Sequence, residues 1–248
     1  MTFKLKTLLC RRTIALGAVL ISSLFFPSLA AQADPLAYGA TSSLQWGVVD
    51  LLTGDFTQTG TTSAPLSGLG EINGKLYAGG YHQSILYSVN PATGALTAIG
   101  NSSLSYFMTG STTHGLFAFD TNINLFQINP STGAAKLIGP TGLRVAASVL
   151  GASSGSNTLY VTVGSSLYSI NTNTAASTLI GTSAGQYGPM VVLKGKQEGV
   201  QDAIFAGGAY PSAIWILNPK NGAGTFVADT TAVHDNFYGL APDNEVKP

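Results

Sequence analysis

The chain of 248 residues carries 11 Lys and Arg against 11 Asp and Glu; only 9% of its residues are charged and 45% are hydrophobic. That balance excludes a disordered chain, and a single cysteine, Cys10, excludes an intramolecular disulfide. No basic face is present to hold nucleic acid or an anionic membrane.

Residues 1–33 read as a secretory signal peptide. Lys4, Lys6, Arg11 and Arg12 precede an apolar run from Thr13 to Phe26, and small residues Ala30, Ala31 and Ala33 follow it. The run is too short for a comfortable membrane span, and cleavage fits best after Ala33. Cys10 lies before the apolar core, where lipoprotein processing does not use it. Arg11-Arg12 resembles a twin-arginine pair, but the residues after it fit poorly, so an ordinary basic leader is the simpler reading. Its removal leaves seven basic against eleven acidic residues, a charge of about −4. Residues 34–248 are then predicted to be one exported domain, periplasmic or extracellular, monomeric and without a membrane span. A domain of that size buries roughly 70% of its unfolded surface and needs no staple.

One phrase recurs along this domain. It is faint at Leu44-Gln45-Trp46-Gly47-Val48-Val49-Asp50, which runs through Thr53-Gly54 toward Gly60. It is clear at Leu86-Tyr87-Ser88-Val89-Asn90-Pro91-Ala92-Thr93-Gly94, closing in Ile99-Gly100, and at Leu125-Phe126-Gln127-Ile128-Asn129-Pro130-Ser131-Thr132-Gly133, closing in Ile138-Gly139. It returns at Leu167-Tyr168-Ser169-Ile170-Asn171 with Ile180-Gly181, and at Ile214-Trp215-Ile216-Leu217-Asn218-Pro219-Lys220-Asn221-Gly222. The Asn or Asp markers fall at 50, 90, 129, 171 and 218. Each phrase reads as strand, turn and strand: Asn bonds its own backbone, Pro presets φ, and Gly supplies a left-handed residue. The Asn171 copy lacks Pro and Gly, so its turn is expected to differ. Between phrases lie further apolar segments, such as residues 66–72 and 75–80 about Asn73-Gly74, making four strands per period.

Four short strands in a period of roughly 40–45 residues is the signature of a β-propeller blade. The expected fold is all-β: a five-bladed β-propeller of four-stranded antiparallel blades. Residues 36–39 match a second strand, and residues 236–241 match the missing first strand. Pairing of that C-terminal strand with the N-terminal blade would close the ring. The pattern L-Y-x-I-N-x-x-T-G with L-x-x-I-G resembles the blades of bacterial exported propellers of the quinoprotein-dehydrogenase-like and YVTN-like group. The resemblance covers the whole domain and implies its fold; no cofactor motif is carried across with it.

Residues that break the repeat in loops at one end of the strands are the candidate ligand contacts: Tyr81, His82, Tyr106, Asp120, Arg144, Tyr187, Tyr210, His234, Asp235 and Tyr238. Aromatic rings beside amides and imidazole suit a neutral sugar or a small polar ligand. Gly151-Ala152-Ser153-Ser154-Gly155 matches G-x-S-x-G formally, but it reads as a Gly/Ser loop and not as a strand-to-helix elbow. Asp120-Thr121-Asn122-Ile123-Asn124 lacks the glycine and distal glutamate of a calcium loop. His82, His114 and His234 form no close pair, so no metal is expected, and no cofactor. A lectin with five equivalent sites is disfavoured because the corresponding loops share no residues. The expected function is a non-catalytic binding module for a glycan or an envelope or extracellular protein. The alternative is a small carbohydrate-active enzyme, hydrolase or lyase, using Glu71 with Asp235 or His234. N-terminal sequencing of the exported protein is expected to begin at Asp34; a chain that retains Met1 after export would remove the leader reading.

Overall fold

The structure is a computed structural model that describes residues 35–144, 150–194, 202–208, 213–230 and 236–243. The leader lies outside these residues.

The described residues form twenty strands. First come β1 (Leu36–Thr41), β2 (Gln45–Asp50) and β3 (Phe56–Thr61). One antiparallel sheet holds β4 (Leu66–Ile72), β5 (Lys75–Gly80), β6 (Ile85–Val89) and β7 (Leu96–Asn101). Another holds β8 (Met108–Thr112), β9 (Gly115–Phe119), β10 (Asn124–Ile128) and β11 (Ala135–Pro140). The next four are β12 (Leu150–Ser154), β13 (Leu159–Val163), β14 (Ser166–Ile170) and β15 (Ser177–Thr182). The last are β16 (Tyr187–Leu193), β17 (Ala203–Gly208), β18 (Ala213–Leu217), β19 (Gly224–Asp229) and β20 (Phe237–Pro242). Strand β20 pairs with β1, Tyr38 opposite Ala241, so the first unit is assembled from both ends of the chain.

The closed five-bladed propeller of separate four-stranded blades, expected from the repeat, is corrected. There are three four-stranded sheets and one eight-stranded sheet, in which β12 and β16 pair in parallel through Ser153–Met190 and Ser154–Val191. The merger goes with the closest backbone approach between neighbouring first strands. A Cβ on Gly151 would lie 1.7 Å from the Gly188 carbonyl oxygen, so these backbones approach closely enough to hydrogen-bond. At other junctions the approach is looser: the nearest backbone atom is 2.6 Å from a Cβ on Gly110, 2.3 Å from one on Gly68 and 3.0 Å from one on Gly239. The segment expected to be a Gly/Ser loop at 151–155 is therefore mostly strand β12.

The repeated phrase packs identically in all five units. Trp46, Leu86, Leu125, Leu167 and Ile214, four residues before each marker, are wholly buried. Val49, Val89, Ile128, Ile170 and Leu217, just before the marker, are buried too. The two positions, three apart, face opposite sides of the sheet: Leu86 packs with Tyr106 and Leu116, and Val89 with Trp46 and Leu76, so each phrase strand is buried on both faces. The outer strand beside it is bulged, with Ile99 the extra residue between the Leu86–Gly100 and Tyr87–Ala98 pairs. Each such side chain contributes about 1.5–3 kcal/mol of burial.

The turns are equally regular. Asn90 Oδ1 accepts from the Ala92 and Thr93 N–H groups at 2.9 and 3.2 Å, and its carbonyl accepts from Gly94 N–H at 2.8 Å. Asp50 and Asn129 do the same. The Asn171 turn, expected to differ, keeps this geometry: Asn173 and Thr174 donate to Asn171 Oδ1 at 2.9 and 3.1 Å, and Ala175 takes the left-handed place at φ 64°. The side-chain acceptor, more than Pro or Gly, specifies this turn.

These turns dock on the outer strand of the preceding unit, which explains the glycine that ends four of the five phrases. A Cβ on Gly60 would stand 1.9 Å from Thr93 O, on Gly100 2.0 Å from Thr132 O, and on Gly181 1.8 Å from Asn221 O. Gly54, in the first turn, meets Asp229 O in the same way, at 2.4 Å. Only at Gly139 does the contact relax, to 3.6 Å from Thr174 O and the Ala175 methyl. Gly100→Ala is therefore expected to cost about 1–3 kcal/mol, whereas Gly139→Ala should stay within about 0.5 kcal/mol of the native chain. Urea denaturation of the two variants checks this, and equal losses would mean that the outer glycines are not contact residues.

Candidate functional site

The β5–β6 turn lies at the end of the sheet where β4 begins, because Leu66 pairs with Gly80. The turn is tied to its surroundings by backbone hydrogen bonds. Tyr81 N–H donates to Pro65 O at 2.9 Å, His82 N–H to Tyr106 O at 2.9 Å, and Tyr106 N–H to Gln83 O at 3.0 Å. His82 sits at φ 54°, a left-handed conformation that costs a residue with a side chain free energy.

Tyr81 is the hub of an aromatic cluster. Its ring centre lies 4.1 Å from that of His82, 5.6 Å from Tyr238 and 6.4 Å from Phe107, and the planes are mutually tilted by 60°, 40° and 30°. His82 is 5.9 Å from Phe107. His82 is exposed and the other three rings are half-buried. The cluster joins residues from three units: the β5–β6 turn, the loop entering β8 and the start of β20. Three of the sequence candidates, Tyr81, His82 and Tyr238, thus meet in space. Phe107 had gone unnoticed; its signal was its place next to Tyr106, since alternation that turns one ring inward turns its neighbour out.

The other candidates part company. Tyr187 is wholly buried, edge-on to Trp215 with ring centres 5.7 Å apart, and its hydroxyl meets Ser183, so it is core. Asp120 is a turn builder: Oδ1 accepts from the Asn122 and Asn124 N–H groups, both at 2.9 Å, and Oδ2 from the Asn124 side-chain amide. Arg144 is exposed in the segment after β11. Tyr210, His234 and Asp235 lie outside the described residues.

Tyr106 lies under the cluster, wholly buried, with a hydroxyl that finds no hydrogen-bond partner of normal geometry. Burial pushes its phenol above the ordinary 10.0, against a smaller downward pull from the Ser102 side chain.

The space between β4, β8 and β12 is filled by hydroxyl groups. Ser67 Oγ and Thr109 Oγ1 are 2.8 Å apart, Ser111 and Ser154 Oγ 3.0 Å apart, and Glu71 N–H donates to both of the latter at 2.9 and 3.0 Å. The Glu71 carboxylate turns away to accept from Gly74 N–H in the Asn73-Gly74 hairpin. Glu71 therefore closes a turn at the end opposite Tyr81, about five strand residues or roughly 16 Å away. Among the described residues no group of three His, Cys, Asp or Glu could hold a metal. No helix among them is long and apolar enough to cross a membrane. No protein-family model matches the chain, and no curated protein matches it significantly.

Because the raised phenol pKa favours the neutral form in the folded state, its stabilising effect is intact below pH 10 and is lost as pH climbs toward the folded value. Tyr106→Phe is expected to leave stability at pH 7 unchanged or raise it by up to about 1 kcal/mol, and to reduce the loss above pH 10. Urea melts at pH 7 and 10.5 measure both; destabilisation at pH 7 would reveal a partner for the hydroxyl.

Proposed function

We propose that the protein is an exported, non-catalytic binding module that holds its ligand on the face built by Tyr81, His82, Phe107 and Tyr238. The observation that supports this is the aromatic cluster itself. It joins three separate segments at one end of the strands, is partly open to solvent, and rests on a turn held rigid by three backbone hydrogen bonds. Rigid aromatic surface binds with little ordering cost. The enzymatic alternative is weakened by Glu71, whose carboxylate is engaged in a hairpin far from the cluster. Export is supported by the basic, apolar and small-residue zones of residues 1–33.

The test is retention of the mature chain on surfaces coated with cell-wall polysaccharide or with envelope protein. The double variant Tyr81→Ala and Tyr238→Ala should lose at least tenfold of whatever retention the native chain shows, with Glu71→Gln unaffected. Retention that ignores the aromatic changes, or release of reducing sugar that Glu71→Gln abolishes, would replace this reading with another.

A further inference from the structure

Resting on the binding-module reading, we infer that the ligand of this face is an uncharged saccharide, docked by the C–H face of a pyranose ring against Tyr81 and Tyr238. Three observations converge on that chemistry.

The first is the distribution of charge. Asp50, Asp55, Glu71, Lys75, Lys136 and Lys220 all stand at the turns or strand ends opposite the cluster, as the pairings of Ile72 with Lys75 and of Leu217 with Gly224 show. At the cluster's end the described carboxylates and basic side chains are Asp120 and Arg144, whereas Asp229 lies with its carbonyl against Gly54 in the first turn. Of these, Asp120 is consumed by its own turn. Among the described residues Arg144 is the one basic side chain at that end, so an oligouronate or a phosphorylated glycan would find a single described cation to pair with.

The second is the shape of the aromatic surface. The planes of His82, Phe107 and Tyr238 tilt by 30° to 60° against Tyr81, so the rings form a faceted floor and not a sealed stack. Partly exposed aromatic rings accept aliphatic C–H groups, while the Tyr81 hydroxyl and the His82 imidazole offer directional bonds to sugar hydroxyls.

The third separates a sugar from a protein partner. A stable protein interface needs about 800 Å² per partner with an apolar centre. The large hydrophobic side chains most exposed among the described residues, Leu52, Leu137, Leu179 and Phe226, lie elsewhere: Leu52 in the first turn and the others on the outer strands β11, β15 and β19. The cluster is flanked instead by Gln83, Ser84, Ser103 and Ser105. His82 marks the same specialisation. Leu44, His82 and Ile123 each hold a left-handed residue in the turn between the second and third strands of their units, and only His82 is polar.

The experiment is calorimetric titration of mature protein with neutral hexose oligosaccharides and with oligouronates, at 50 and 300 mM NaCl. Neutral oligosaccharides should bind with Kd changing less than twofold between the salts. Tyr81→Ala and Tyr238→Ala should each weaken binding about tenfold without lowering the melting temperature, and His114→Ala, at the opposite end, serves as the control that keeps it. Tighter binding of oligouronates, or affinity that falls steeply with salt, overturns the uncharged class. Saccharides that fail altogether while envelope-protein retention stays Tyr81-dependent overturn the saccharide and leave the aromatic face standing. Neutral-sugar binding indifferent to Tyr81 and Tyr238 overturns both. Should Tyr81→Ala melt early, protection of the Tyr81 and Tyr238 ring resonances by the neutral oligosaccharide in the native chain decides in its place.

Discussion

Each unit presses a turn against the outer strand of the preceding one, at three of these contacts against a glycine with no room for a side chain, and the remaining packing is arranged around that contact. The turn must keep one shape to fit, which is why a side-chain oxygen at Asp50, Asn90, Asn129, Asn171 or Asn218 fixes it from within. The outer strand must offer bare backbone, which is why Gly60, Gly100 and Gly181 stand where they do. Trp46 adds a longer reach: stacked on Tyr38, it donates from Nε1 to Pro91 O at 2.8 Å and so fastens the first unit to the second turn.

Toward the first strands of the units the chemistry changes from apolar to hydroxylic. Ser67, Thr109, Ser111, Ser153, Ser154 and Thr162 are all buried, and they pass hydrogen bonds among β4, β8, β12 and the backbone of their neighbours. Small side chains are required there because the backbones nearly touch, and hydroxyls are the small groups that satisfy the polar atoms brought inside. A carboxylate has no place in such a lattice, and Glu71 accordingly lends only its N–H to it. The aromatic face depends on this rigidity, since its rings come from β20, from the turn leaving β5 and from the loop entering β8.

The turns, the two buried positions of each third strand and the strand count per period were legible because each rests on a local rule: an Asx acceptor, an apolar alternation, a Gly at positive φ. The bulge at Ile99 on the outer strand, with its counterparts in the other units, was hidden, as periodicity alone cannot show a residue inserted against its partner. The merged sheet was hidden as well. Gly151 and Gly188 lie far apart in sequence, and the Ser-rich run between Gly151 and Gly155 has the composition of a loop. At the site, Tyr81, His82 and Tyr238 stood out by breaking the repeat, but so did Tyr187 and Asp120, which the fold uses for a core contact and a turn. Sequence irregularity signals that a residue is special without saying whether it faces solvent.

Strand β1 finds its partner β20 only when nearly the whole chain has been made. A ribosome delivers β1 among the earliest residues of the domain, and one of its edges then remains unsatisfied until the last strand emerges. The first unit is thus assembled last, across the longest loop the chain can close, and its formation carries the largest entropic cost of any sheet in the molecule. Truncation before Phe237 would therefore strike the N-terminal unit, and an immature chain carries an exposed strand edge of the kind that chaperones hold.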